Sequence, residues 1–132
     1  MSTILRVAFP GRVSASKYDP AKIEYAMEYT FLQNIYSPLI EYSVSGELVS
    51  AIAERFGWRG TNAVFQIRKG LKTIDGDTVN AYDAEASLKR LFVIGGNTHG
   101  DLKNLLCPGT RLKSLQSVCE GIAVENNGTD LV

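Results

Sequence analysis

The sequence predicts an α+β fold with a mixed β-sheet and two principal helices. Two amphipathic stripes, one starting at Ile23 and one at Ala84, support the helical part of this prediction. In each stripe, apolar residues recur at the three- or four-residue spacing that places side chains on one face of a helix. Between the stripes, Phe56 and Trp58 stand at the two-residue spacing of a strand and precede a polar turn. The chain therefore combines both kinds of element.

The first third of the chain is predicted to form a strand, a turn and a helix. Thr3–Phe9 alternates as a strand does, and Pro10–Gly11 ends it because proline cannot continue a β-ladder. After a turn at Tyr18–Pro20, a helix is predicted to run until Pro38 disfavours the α conformation at the residue before it. Its buried stripe consists of Ile23, Met27, Phe31 and Ile35.

The middle of the chain is rich in strand signals. Pro38–Ser43 is a short strand candidate, and Leu48–Ala53 is a brief apolar segment that is compatible with a helical turn. Glu54–Lys69 predicts an antiparallel hairpin, because aromatic residues alternate before a turn that contains glycine and asparagine.

A tight turn and a capped helix follow the hairpin. Asp75–Gly76 supplies the residue types that adopt a positive φ angle. Asn80 stands at the N-cap position of the second helix, and Asp83 can reach back to it as the third residue of a capping box does. The buried face of this helix is predicted to be Ala84, Leu88, Leu91 and Phe92.

Weaker signals fill the last third of the chain. Residues 94–104 contain three glycines and predict a flexible loop. Val118–Val124 alternates as a strand, Asn126–Thr129 is a strong hairpin turn, and Asp130–Val132 begins a returning strand. A strand of three residues at the end of the sequence predicts that the chain is a piece of a longer protein, because a hairpin gains little from half a partner.

Composition is that of an ordinary globular protein. A chain of 132 residues can bury roughly two-thirds of its unfolded surface in one domain. Hydrophobic residues make up 45% and charged residues 21%, and the 14 basic and 14 acidic side chains cancel. Nucleic acid and anionic membrane surfaces are not predicted partners, because both require a cationic excess.

No apolar run approaches the roughly 20 residues that cross a bilayer, and the first residues lack the pattern of a signal peptide. The protein is therefore either cytosolic or has lost a signal. Cys107 and Cys119 are too few for a disulfide scaffold and wrongly spaced for a zinc knuckle. One disulfide between them is possible in an oxidising compartment.

No catalytic, metal or cofactor motif is present, so the sequence does not predict an enzyme. It contains neither a G-x-S-x-G elbow nor an H-E-x-x-H motif. His99 is the only histidine, and a lone imidazole in a glycine-rich loop is usually solvated. Gly95–Gly100 lacks the Lys-Ser/Thr pair of a phosphate-binding loop.

Several motifs carry a family resemblance through their order and spacing. YDPAKIE, IYSPLIEY, QIRKGLK, an Asp-Gly turn and SLKRL follow one another along the chain. This arrangement resembles the N-terminal part of the extracytoplasmic solute-binding proteins of peptide and nickel ABC transporters, from about Leu5 to Leu91 and again at Val118–Val124. The chain departs from the family at Thr73–Gly76, where an aromatic-His-Asp-Gly turn is common, and at Gly76–Thr78, where Gly-Thr-Pro is common.

The resemblance implies that residues 1–132 form one structural domain, a fragment of the N-terminal lobe of a clamshell receptor like the periplasmic binding proteins. Such a receptor captures an oligopeptide or a similar small solute at the cell surface or in the periplasm and passes it to an ABC transporter permease. The remaining part of the parent protein would complete the cleft. An extended peptide is held there largely through its main chain, as if it were an added strand.

The resemblance also implies which residues lie beside the ligand. These are Glu24, Tyr25 and Ala26 after the Asp-Pro turn, and Asn97, Thr98 and His99 after the second helix. Glu24 could meet a ligand ammonium group, although a glutamate at a helix start is also favoured by the helix dipole. Tyr25 and Tyr36 could flank the cleft or simply cover the edge of the core.

Two alternative functions remain open from the sequence. The chain could be the solute-sensing region of a cytosolic transcriptional regulator, or a free-standing interaction module. A secretory or lipoprotein signal upstream in the parent gene would favour the receptor, and an upstream helix-turn-helix would favour the regulator.

Overall fold

The computed structural model describes residues 18–95, 99–109 and 112–132. In these ranges the chain forms three helices and two antiparallel sheets, which confirms the α+β class. The elements are α1 (Ala26–Leu32), β1 (Ile40–Tyr42), β2 (Leu48–Ser50), β3 (Ala53–Arg59), β4 (Asn62–Ile67), α2 (Ala81–Ile94), α3 (Gly100–Leu106), β5 (Val124–Glu125) and β6 (Asp130–Leu131). The strand expected at Thr3–Phe9 lies outside the described residues. None of the helices in the described ranges is both long and apolar enough to span a bilayer.

Helix α1 is shorter than the apolar spacing predicts. A 3-10 turn at Pro20–Lys22 precedes it, and Asp19 caps this turn by accepting a hydrogen bond from the Ala21 amide at 3.0 Å. The helix begins at Ala26 and ends at Leu32, which is buried. Ile35, the last residue of the predicted stripe, lies in the turn beyond the helix and is exposed.

The segment after α1 forms a hairpin of two short strands. Strand β1 confirms the prediction for Pro38–Ser43, whereas the helical turn considered for Leu48–Ala53 is wrong because this segment begins with strand β2. The two strands pair antiparallel, with Ile40 opposite Ser50. Gly46, at φ +83°, makes the turn between them possible.

The predicted aromatic hairpin is present as β3 and β4, with Phe56 opposite Phe65 and a two-residue turn at Gly60–Thr61. Strand β6 pairs with β4 on one side and β5 on the other, so the sheet order is β3-β4-β6-β5. The last strand is therefore central and paired on both sides. The expectation that it is an incomplete hairpin strand with half a partner is wrong. Every pairing among the described strands is antiparallel, which differs from the mixed sheet that we expected.

The local signals around α2 are confirmed. Gly76 adopts φ +94° in the predicted turn. Asn80 accepts a hydrogen bond from the Tyr82 amide at 2.8 Å, and Asp83 accepts one from the Asn80 amide at 2.8 Å. Two backbone donors at the helix start are thus satisfied by side chains, as a capping box requires.

Two predictions for the last third of the chain are wrong. Part of the expected loop at 94–104 belongs to helix α3, and of the expected strand Val118–Val124 only Val124 is in a strand. The reason is a close contact between the end of α3 and the following segment. Cys107 and Cys119 form a disulfide with Cα atoms 4.8 Å apart, and the Gly121 amide donates to the Leu106 carbonyl at 2.8 Å. A Cβ atom on Gly121 would collide with that carbonyl oxygen, so this approach requires glycine.

The core lies between one face of the four-stranded sheet and α2, and the disulfide segment closes it. Its buried members come from β4, α2, β6 and the segment from Cys107 to Ile122 that carries the disulfide: Ile67, Ala81, Phe92, Cys107, Leu112, Cys119, Ile122 and Leu131. Because the disulfide is part of the core, the crosslink and apolar burial hold the same region together.

Replacing Cys107 and Cys119 together by serine is expected to lower the free energy of unfolding by about 3 kcal/mol, because the crosslink restricts the unfolded chain across a separation of 12 residues. Urea unfolding under oxidising conditions measures the change. Dithiothreitol should lower the stability of the native chain to that of the variant and should leave the variant unchanged. Equal stability of the two chains without reductant would contradict this role.

Candidate functional site

An open groove of about 780 Å³ lies between the turn that precedes α1, α1 itself and α2. Apolar and aromatic side chains cover most of its wall, and a few polar groups reach into it. The lining residues that concern the site are Tyr18, Asp19, Ile23, Tyr29, Tyr36 and Arg90. A groove of this size, mostly apolar and with a few polar groups, is the usual form of a small-molecule or peptide site.

An ion pair between Asp19 and Arg90 fixes one end of the groove. Two guanidinium nitrogens of Arg90 donate to the two carboxylate oxygens of Asp19, at 2.6 and 2.7 Å. The pair joins the turn before α1 to helix α2 across 71 positions of sequence. A bidentate arginine–carboxylate pair fixes direction as well as distance, because the guanidinium fork is planar.

The pair also sets the charge of the groove. The hydrogen bond from Arg90 lowers the pKa of Asp19 to about 2, and the Ala21 amide and Lys22 act in the same direction against the effect of burial. The same hydrogen bond raises the pKa of Arg90. Both groups are therefore charged at neutral pH, and the Lys22 ammonium, 3.8 Å from the Asp19 carboxylate, adds a second cation beside this end of the groove.

Aromatic residues form the other part of the wall. The rings of Tyr18 and Phe31 stack with centroids 5.2 Å apart. The Tyr36 hydroxyl donates to the Tyr18 carbonyl at 3.0 Å, so this tyrosine ties the end of α1 to the turn before it. Tyr29 and Tyr36 remain about half exposed and offer ring surface to a ligand.

Three of the residues that the resemblance singled out lie next to the groove but do not line it. Glu24, Tyr25 and Ala26 are exposed at the start of α1, directly after Ile23, which does line it. A carboxylate oxygen of Glu28 accepts hydrogen bonds from the amides of Glu24 at 2.9 Å and Tyr25 at 3.2 Å. Glu28 is only 4% exposed, so the carboxylate that caps α1 is buried. The side chains of Glu24, Tyr25 and Ala26 form the exposed surface at the start of this helix.

The second predicted segment is described only in part. Asn97 and Thr98 lie outside the described residues, whereas His99 precedes α3 and is half-buried rather than solvated. A Cβ atom on Gly95 would lie 3.0 Å from Cδ2 of His99 and 3.1 Å from the Ala21 carbonyl oxygen. His99 therefore lies near the turn that leads to Glu24.

The sequence did not reveal the groove itself. Asp19 was recognised only as part of an Asp-Pro turn, and Arg90 only as part of a helix. The one available signal was that an aspartate and an arginine stand in two motifs of the same resemblance. A contact between residues so far apart leaves no local pattern, so only the fold brings them together.

The site has the groups of a binding surface. Among the described residues, no three side chains of histidine, cysteine, aspartate or glutamate lie together as metal ligands. The polar groups of the groove can donate and accept hydrogen bonds, while the Asp19 carboxylate is already paired with Arg90 and Lys22. The arrangement can therefore hold a ligand through apolar contacts and neutral hydrogen bonds.

Comparisons of the chain with protein-family models, with curated proteins and with solved structures found no match. Membership of the solute-binding family therefore stays a prediction from the sequence motifs.

Replacing Asp19 by asparagine is expected to lower the free energy of unfolding at pH 7 by about 1 to 2 kcal/mol, a value reduced for solvent screening because the Arg90 side chain is 41% exposed. Asparagine can still cap the turn, so the loss reports the ion pair. In the native chain the pKa of Asp19 lies below its ordinary value of 3.8. The stabilisation should thus be complete above about pH 4 and disappear as the pH falls toward 2.

Urea unfolding of both chains between pH 2 and pH 7 measures this difference. The matched control is Arg59→Gln, which breaks the more exposed pair between Arg59 and Glu125 and should cost less than about 1 kcal/mol. A stability difference between native and Asp19→Asn chains that is the same at pH 7 and pH 2 would contradict the role of the ion pair.

Proposed function

We propose that the chain is part of the N-terminal lobe of an extracytoplasmic solute-binding protein, the receptor component of an ABC importer that captures oligopeptides or similar solutes. The observation that carries the proposal is the open groove at the turn that leads to the Glu24–Ala26 segment, since the Ala21 carbonyl of this turn lies beside Gly95, which also lies close to His99. These two segments are far apart in sequence, and the resemblance alone assigned both to the ligand.

The order of the elements supports the same proposal. The Asp-Pro turn, α1, a short hairpin, the aromatic hairpin, the Asp-Gly turn and the capped helix α2 follow one another as in the motifs of the resemblance. The ion pair between Asp19 and Arg90 links the first of these motifs to the last. A single interaction thus joins YDPAKIE to SLKRL, which gives a physical reason for both motifs to occur together.

The disulfide supports a location outside the cytoplasm. Structural disulfides persist in oxidising compartments and are rare in reducing ones. Cys107 and Cys119 are both buried in the core, so their pairing is a structural one. A periplasmic or cell-surface receptor fits this pairing better than a cytosolic regulator does.

Binding would combine two kinds of contact. The groove offers mostly apolar and aromatic surface, which tolerates many side chains. Glu24 lies exposed at its edge and can pair with the ammonium group of a peptide N-terminus. In this arrangement the charge contact fixes the end of the peptide, and the groove accepts its neighbouring residue with loose preference.

In a titration with trialanine, we expect amide chemical shift changes at Glu24, Tyr25, Ala26 and His99 in nuclear magnetic resonance spectra. The dissociation constant should be millimolar or weaker, because the remaining part of the parent protein would supply most of the cleft. Calorimetry that gives a micromolar constant would contradict the fragment interpretation. Shift changes confined to other residues would contradict the proposed site.

The role of the charge contact can be separated from general binding. Glu24→Gln should weaken binding of trialanine but not of N-acetylated trialanine, which has no ammonium group. The control Glu41→Gln changes an exposed carboxylate on β1 and should leave both peptides unaffected. Equal weakening for both peptides would rule out an ammonium partner for Glu24.

A further inference from the structure

Strand β3 forms an open edge of the four-stranded sheet. Among the strands of the described residues it is the first in the order β3-β4-β6-β5, and its one partner there is β4. Its first residue, Ala53, is held from the other side by the Leu39 carbonyl at 2.9 Å. From Arg55 to Arg59, no backbone hydrogen bond to the outer side occurs within the described residues. An edge of this length is a template for pairing with another chain.

The hairpin turn determines which backbone groups face outward. A two-residue turn with glycine first, at φ +64°, closes β3 and β4 with Arg59 opposite Asn62. In such a turn the two residues of the closing pair exchange backbone hydrogen bonds. Hydrogen-bonded and non-hydrogen-bonded pairs alternate along the strands, so the backbone groups of Gly57 and Arg55 also bond to β4. The amides and carbonyls of Phe56 and Trp58 therefore point away from the sheet.

The side chains at these two positions extend the apolar face of the sheet beyond the core. Phe56 lies in a row with Phe65, Leu131 and Val124, which belong to the core or pack against it. Trp58 lies on the same face, one row further out, opposite Ala63. Phe56 is 36% exposed and Trp58 is 79% exposed. Free backbone groups and exposed rings thus occur at the same two residues.

We propose that a second copy of this chain pairs with the edge of β3, antiparallel and about a two-fold axis at Gly57. A two-fold axis perpendicular to the sheet leaves the same face of both copies on the same side. Two residues that lie opposite each other across the axis must therefore have side chains on the same face of the sheet. With Gly57 opposite Gly57, Phe56 of each copy lies opposite Trp58 of the other. Both residues present outward backbone groups, so each of the two Phe56–Trp58 pairs can form two hydrogen bonds. The aromatic pairs also cover each other's exposed surface.

The structure favours this register over the one centred on Phe56. Moving the axis to Phe56 would place Glu54 in the ladder, but Glu54 lies at a bulge between Ala53 and Arg55, and its carbonyl already accepts the Ser50 hydroxyl at 3.0 Å. In the chosen register Arg55 lies opposite Arg59 of the second copy, which is unfavourable by itself. Glu125 already pairs with Arg59 at 2.9 Å and reduces that repulsion.

A cysteine at Gly57 tests the register directly. The two copies of Gly57 form a non-hydrogen-bonded pair, with Cα atoms about 4.5 Å apart, which suits a disulfide. A Cβ atom at Gly57 meets nothing within 4 Å, so the substitution should be tolerated. The Gly57→Cys chain should become a crosslinked dimer in a glutathione buffer on a non-reducing gel. The control Val44→Cys, fully exposed in another turn, should stay a single chain.

Sedimentation equilibrium tests the interface without a crosslink. The native chain should show a concentration-dependent mass that approaches two chains. Trp58→Lys should weaken the dimer about 30-fold, because it removes an aromatic anchor and adds charge. The control Tyr42→Lys replaces an exposed aromatic residue on β1 and should have no effect. Thermal unfolding followed by circular dichroism checks that each variant folds.

Three outcomes would overturn the proposal. The first is a native chain that sediments as one copy at every soluble concentration. The second is a dimer that forms while Gly57→Cys fails to crosslink, since this excludes the register. The third is equal crosslinking of the Gly57→Cys and Val44→Cys chains, which indicates random collision.

Discussion

The bidentate pair between Asp19 and Arg90 is the interaction on which the shape of the groove depends. Asp19 uses one carboxylate to cap the turn before α1 and to receive the guanidinium group of α2. The turn and α2 are therefore oriented by the same oxygens. Ala21 and Leu32, both 3% exposed, contribute buried apolar surface to the wall of the same groove. Apolar burial has no direction, so the ion pair supplies the orientation that burial alone does not.

This division of roles has a consequence for ligand binding. The Asp19 carboxylate of the groove is already paired with Arg90 and Lys22, so it is not available to a ligand cation. Under the proposed receptor function, selection by charge is then left to the exposed start of α1, where Glu24 lies. Glu28 keeps that segment in place by accepting hydrogen bonds from the backbone amides of Glu24 and Tyr25. Such a site would be more selective for the terminal group of a peptide than for the side chains of that peptide.

The sequence predicts those parts of the fold that depend on neighbours in the chain. Asn80 and Asp83 form the expected cap because three residues suffice to define it, and Gly76 makes the expected turn for the same reason. Helix α3 lies partly where three glycines predict a loop, and the helical spacing of Leu102, Leu105 and Leu106 is the local signal that agrees with it. The strand expected from Val118 was wrong because the alternation there competes with the disulfide and with the contact of Gly121, and tertiary constraints override a weak pattern.

Strand β6 is stabilised by its position in the sheet, although it is only two residues long. Its two residues are buried, and the flanking bonds continue the ladder from the Ile67 amide to the Thr129 carbonyl at 2.7 Å and between Ala123 and Val132 at 2.8 Å in both directions. A strand this short is stable because it is paired on both sides, which no property of its own sequence indicates. The same order leaves β5 at one edge with two residues and β3 at the other with seven. Short edges offer few backbone groups to another chain, so the capacity of this sheet for pairing is concentrated in β3.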